Sequence, residues 1–137
     1  MFDFQVIDHT ADVGLVARGR NLKEALVNAA GGMFSLICDL DTVAEEVIRE
    51  VTVMAEDETS LLAEWLEELL YLSEVRHVLW KRFDISHLTP KQLRATVYGS
   101  SFDPARHTIL MHIKAVTHHL LQVVRDNGYR VQVIFDI

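Results

Sequence analysis

His119-Leu120-Leu121-Gln122-Val123-Val124-Arg125-Asp126-Asn127-Gly128-Tyr129-Arg130-Val131-Gln132-Val133-Ile134-Phe135-Asp136 is the stretch that decides the fold. Asn127-Gly128 is the best short hairpin signal in the chain, because both residue types tolerate the positive φ that tight hairpin turns need. After it, Tyr129, Val131, Val133 and Phe135 alternate with Arg130, Gln132, Ile134 and Asp136. That period of two is the mark of a strand with two different faces. His119 to Arg125 reads as the partner strand.

Outward from this hairpin the second half stays rich in β signals. Trp80 to Ile85, Leu93 to Tyr98 and Thr108 to Ile113 are strand candidates, with Thr89-Pro90 and Asp103-Pro104 in the connections between them. The first half is mixed. Phe2, Phe4 and Val6 alternate with Asp3, Gln5 and Ile7 as a first strand, and Val13 to Arg18 forms a second. Asn21 has the chemistry of a helix N-cap, with Glu24 three residues on. Leu22, Ala25, Leu26, Ala29, Ala30, Met33, Phe34 and Ile37 then recur at helical spacing. Ala29-Ala30-Gly31-Gly32 permits either close helix-to-sheet packing or a weakened last turn.

A polar connection, Asp39-Leu40-Asp41-Thr42, leads to a third strand over about 46 to 55. Asp57-Glu58-Thr59-Ser60 starts a second helix that runs to about Val78. Leu61, Leu62, Trp65, Leu66, Leu69, Leu70 and Leu72 give it an apolar face, and Glu64, Glu67, Glu68 and Glu74 a solvated acidic side. Two helices among seven or eight strands predict an α+β chain: a two-layer single domain over 1–137, with both helices packed on a largely antiparallel sheet.

A chain of 137 residues can bury roughly 70% of its unfolded surface, enough for one real core. Its net charge of −7, from 20 acidic and 13 basic residues, argues against strong direct binding to nucleic acid. It suits a metal ion or an electropositive protein partner, or simply solubility. Cys38 is the only cysteine, so an internal disulfide and a cysteine-based zinc site are excluded. Its setting, Leu36-Ile37-Cys38, is that of a small buried hydrophobe. Neither a secretion signal nor a membrane span is evident, and a cytoplasmic location is expected. Phosphate-binding loops, dinucleotide fingerprints, paired-His metalloprotease motifs and nucleophile elbows are all missing. No complete catalytic motif belongs to the chain, which is expected not to be an enzyme.

Three clusters carry chemistry. Asp8, His9 and Asp12 interrupt the first two strands and could offer oxygens to a hard divalent cation. They could equally satisfy backbone groups at a strand break. Asp136 and the α-carboxylate of Ile137 place two negative charges side by side, which invites a cation or a base unless solvent screens them. Lys114-Ala115-Val116-Thr117-His118-His119 could bind phosphate or metal, act as acid and base, or hold structural histidines.

Together, His9-Thr10-Ala11-Asp12-Val13-Gly14, Leu61-Leu62 through Trp65-Leu66-Glu67-Glu68-Leu69-Leu70, Lys114 to His119 and the closing Val133-Ile134-Phe135-Asp136-Ile137 resemble the archease family. The resemblance spans the whole chain in the family's order. It departs at His118, where the family commonly has Tyr, and at Tyr129, where Trp is frequent. It implies a protein cofactor of an RtcB-type RNA ligase in tRNA splicing and RNA repair. Such a cofactor promotes ligase guanylylation and multiple turnover, and broadens the nucleotide triphosphate used. It also implies a divalent metal site, Ca²⁺ before Mg²⁺ or Mn²⁺, on Asp12, Asp136 and Ile137. His9, Asp39, Lys114 and His119 are further candidates near the metal or facing the ligase.

Two other classes stay in view. A metal-dependent hydrolase of a small phosphorylated substrate would need a deep pocket beside the metal, with His9 or His119 in reach. A chaperone-like binding module would expose a sizeable apolar patch.

Overall fold

The structure, a computed structural model, describes residues 2–8 and 12–137. Strands β1 (Phe4–Asp8) and β2 (Asp12–Gly19) lead into helix α1 (Leu22–Ile37), and a short 3-10 turn at Leu40–Thr42 precedes β3 (Val47–Met54). Helix α2 (Glu58–Arg76) is followed by β4 (Val78–Thr89), β5 (Gln92–Ser101), β6 (Ala115–Arg125) and β7 (Tyr129–Asp136). The strands divide into a four-stranded sheet, β1-β2-β7-β6, and a three-stranded sheet, β3-β5-β4. Every pairing in both is antiparallel. Each helix touches strands of both sheets, and one apolar cluster runs through all these elements. The α+β class, with two helices packed on antiparallel sheets, is as expected. No described helix is long and apolar enough to cross a membrane.

Local chemistry explains the helix starts. The Asn21 side chain accepts the Glu24 N–H at 2.8 Å. Glu24 then reaches back to Arg20, taking its backbone N–H at 3.2 Å and its guanidinium at 3.0 Å. The reciprocal half of the capping box thus closes on the residue before the cap. Those Arg20 hydrogen bonds hold the Glu24 carboxyl below its ordinary range. At α2 the Asp57 carboxylate accepts the Ser60 N–H at 2.8 Å. This helix stops at Arg76, slightly short of the expected end, because His77 turns left-handed at φ 54°.

Close approach is the reading that holds for Gly31-Gly32. A methyl group at Gly31 would collide with the ring of Phe2, and one at Gly32 would stand 2.9 Å from Phe4 Cγ. The two glycines therefore let β1 lie directly on α1. Trp65 ties the helices together, donating its indole N–H to the Leu26 carbonyl at 2.9 Å, while its ring meets Phe83 edge-on at 6.3 Å. Cys38 is fully buried, and that burial, with the charge of Asp39 second, pushes its thiol up to about 11.

The hairpin forms with Arg125 opposite Tyr129, which leaves Asp126, Asn127 and Gly128 as its turn. Asn127 takes φ 48° and Gly128 φ 112°. One expected strand is absent: Thr108 to Ile113 joins no sheet. The reason is register. Ala115 pairs with Asp136, the last residue of β7, so β7 has nothing to set against residues further upstream. The segment instead lies between a turn at 104–106 and the start of β6. It is anchored by Leu110 N–H to the Ile37 carbonyl and by the buried ring of His107. His107 is 3% exposed; its Nδ1 accepts the Asp103 N–H at 2.9 Å, and its Nε2 lies 3.0 Å from the Thr42 carbonyl. No sequence signal beyond the nearby Asp103-Pro104 turn marked that histidine.

Candidate metal centre at the paired strand ends

The register of β2 on β7 sets Asp12 opposite Asp136, with Val13 opposite Phe135 and Gly14 opposite Ile134. Inward residues Val13, Leu15, Val133 and Phe135 are buried in the core. Strand alternation therefore puts Asp12 and Asp136 together on the other face. Gly14 makes room there: a methyl group on it would stand 3.1 Å from both Ile134 Cδ1 and Ile7 Cβ. Its smallness serves side-chain packing beside the acidic pair and involves no positive φ, since that conformation is confined to Gly128 among the described glycines.

Directly opposite residues of an antiparallel pair have Cβ atoms roughly 4.5–5.5 Å apart, and like charges in that position repel. Oxygen ligands bind Ca²⁺ at about 2.3–2.6 Å, so one such ion can span two carboxylates held this way. Asp136 is exposed and takes no side-chain hydrogen bond or ion pair among the described residues. Asp12 is half-buried and does have a partner. Ile137 follows Asp136 directly and is 39% exposed. Among the described residues, no three His, Cys, Asp or Glu side chains converge as a metal cluster. Two opposed carboxylates make an all-oxygen donor set, which fits a hard divalent cation.

The other candidates divide. Lys114 belongs to this strand end, because its N–H donates to the Asp136 carbonyl at 2.8 Å. Its exposed side chain lines a small cleft with Glu67, Tyr71 and Glu74. His119 falls in an irregular stretch of β6 where the register jumps between Thr117 and Gln122, and its N–H meets Thr117 Oγ1 at 3.4 Å. His118 faces α2, with Nε2 3.7 Å from Glu67 Oε1. Asp39 caps the 3-10 turn, accepting the Asp41 N–H at 3.0 Å. It lines a separate cavity of about 480 Å³ that also includes Lys81 and Arg82. His9 lies outside the described residues. Neither Asp12 nor Asp136 lines any of the four cavities described.

Comparisons with known proteins identify the family. The model of the archease protein family matches residues 4–137. Protein archease of Methanosarcina acetivorans is 36% identical over 139 residues, covering 98% of this chain and 95% of the relative. That of Sulfolobus acidocaldarius is 32% identical and covers all of both chains. The solution structure of Methanobacterium thermoautotrophicum protein 1598 superposes with a TM-score of 0.85 at 32% identity, covering both chains fully. The crystal structure of a Thermotoga maritima archease, described as a possible chaperone, shares the fold with a TM-score of 0.70 at 20% identity. It covers 96% of this chain and 94% of its own. Full-length matches at this level leave one conclusion: the chain belongs to the archease family.

Proposed function

We propose that this chain is an accessory protein to an RtcB-type RNA ligase, promoting its guanylylation and turnover and broadening its nucleotide use. The observation that carries the reading is the cross-strand pair of Asp12 and Asp136, beside Ile137. Two carboxylates in direct opposition cost stability, and a bound divalent cation converts that cost into affinity. Asp12, Asp136 and the Ile137 carboxylate would hold the ion, Ca²⁺ first, with Mg²⁺ and Mn²⁺ as other hard candidates. Such an ion neutralises negative charge near a transferring phosphoryl group. Lys114 holds the backbone of Asp136 in place, His9 lies three positions before Asp12 in sequence, and His119 lies in β6, the strand beside β7.

The exposed acidic rim favours presentation to a partner over chemistry in a pocket of this chain, which counts against a hydrolase. A net charge of −7 likewise suits an electropositive protein surface better than bare RNA. A cytoplasmic setting goes with this reading. The test is a ligase guanylylation assay at stoichiometric protein with divalent metal and GTP. Wild-type protein stimulates, and Asp12→Ala combined with Asp136→Ala does not. Full stimulation by the double variant would remove the metal from the mechanism; no stimulation by wild type would sink the ligase reading itself.

A further inference from the structure

Residues 107–114 contain no helix, turn or bend, so the segment runs extended, yet it belongs to neither sheet. Its sequence, Thr108-Ile109-Leu110-Met111-His112-Ile113, is that of a strand. In extended chain, alternate residues turn their backbone N–H and C=O groups to the same edge. Leu110 and Lys114 face inward, their N–H groups bonded to the carbonyls of Ile37 and Asp136. Ile109 and Met111 therefore face the other edge, where no backbone partner exists among the described residues, while Ile113 is 2% exposed and belongs to the core. The segment leads straight into β6, the last strand of the sheet order β1-β2-β7-β6. Its free edge is thus the continuation of an open sheet edge.

Beside it, between this segment and the C-terminal part of α2, lies an apolar cavity of about 190 Å³. Leu70, Phe102, Ile109 and Met111 contribute apolar walls, and Glu74 stands on the rim. The surface around it is unusually greasy for an acidic protein: Leu110 is 64% exposed and Val75 52%. Glu74 also borders the neighbouring cleft with Glu67, and Glu74 has no ion pair among the described residues. Unpaired backbone, an anchor-sized apolar cavity and an unpaired carboxylate occur together in one place.

We propose that this edge is a docking site for an extended, basic peptide segment of a partner protein. The segment pairs along the edge of Ile109 and Met111, seats one aliphatic side chain in the cavity and sets a Lys or Arg against Glu74. Main-chain hydrogen bonds supply affinity in this mode, and the cavity and charge supply selectivity. A second copy of this chain fits less well, because each copy carries a net charge of −7. The site is independent of the metal reading, although a strand laid here would end beside Asp136, whose carbonyl already holds Lys114.

The probe is a capped hexapeptide alternating lysine with valine or leucine, titrated into the full chain and followed by amide NMR and hydrogen exchange. Binding slows exchange at Ile109 and Met111, and the same peptide with glutamate for lysine has no effect. Glu74→Lys weakens binding about tenfold. Ile109→Pro removes an N–H that the fold does not use, so the chain stays folded while protection of the edge is lost. Unchanged exchange at the two amides overturns the proposal, as does equal binding of the glutamate peptide. A dimer in sedimentation that Leu110→Asp dissociates would give the edge to a second copy and overturn it too.

Discussion

The β2–β7 pair ends in two opposite ways. At one end Gly19 pairs with Tyr129, and the groups around it are matched: Arg20 binds Glu24, and Arg125 donates to the Tyr129 hydroxyl at 2.6 Å. At the other end Asp12 faces Asp136, two groups of the same charge. A strand pair selected only for stability would not finish that way, since like charges directly opposite weaken a sheet. The first end holds the hairpin; the second sets two carboxylates against each other, an arrangement that the proposed cation would offset.

The sharpest way to break this contrast is at the hairpin. Gly128 has φ 112°, and a side chain there would put its Cβ 2.5 Å from the Gly19 carbonyl oxygen. Gly128→Val should cost about 3 kcal/mol in urea unfolding while leaving Ca²⁺ affinity unchanged. A parallel loss of Ca²⁺ binding would mean that the two ends are coupled through β7, and the contrast would fail. Next in size is Asp136→Asn. Without metal it should leave stability unchanged or slightly raised, because a repulsion is removed. At Ca²⁺ a hundredfold above its Kd, wild type gains about 2.7 kcal/mol, and the variant should forgo most of that gain. Denaturation curves with Ca²⁺ and with a chelator read both quantities. Lower stability of the variant in chelator would show that Asp136 is structural.

Much of this architecture is legible in the sequence because local rules and tertiary structure agree. Asn21 and Asp57 are caps in fact as in pattern, and Asn127-Gly128 turns the last hairpin. The acidic pair is also foreshadowed, since Asp12 and Asp136 stand out as charges at strand ends. Their register is not: which residue faces which depends on how β2 meets a strand more than a hundred positions away. Thr108 to Ile113 shows the limit of periodicity. It has the composition of a strand, but a strand exists only where a neighbour offers hydrogen bonds, and β7 ends too soon to provide one. Division of the strands into two sheets is hidden for the same reason. Asp39 has a structural use that its sequence position left open: a carboxylate just after a helix can serve as a ligand or as a cap, and here it caps the 3-10 turn.

Carboxylates used for structure respond to acid in a direction that can be stated. Asp57 accepts the Ser60 N–H, and also the Ser60 hydroxyl, which holds its carboxyl below the ordinary aspartate range. A carboxyl lowered by folding stabilises the native state above the unfolded pKa, and that stabilisation fades as pH falls through the lowered native value. Asp57→Ala should therefore reduce the urea midpoint at pH 7 by something on the order of 0.5 M, the smallest of the three effects. The gap between wild type and variant should stay constant from neutral pH down to about 4, then close in stronger acid as both chains lack the charged cap. Ca²⁺ should change neither the gap nor its pH dependence, because this carboxylate caps the start of α2 and takes no part in the acidic pair. A gap that widened in acid would mean that Asp57 acts through its uncharged form, and the division between capping and metal-binding carboxylates would have to be redrawn.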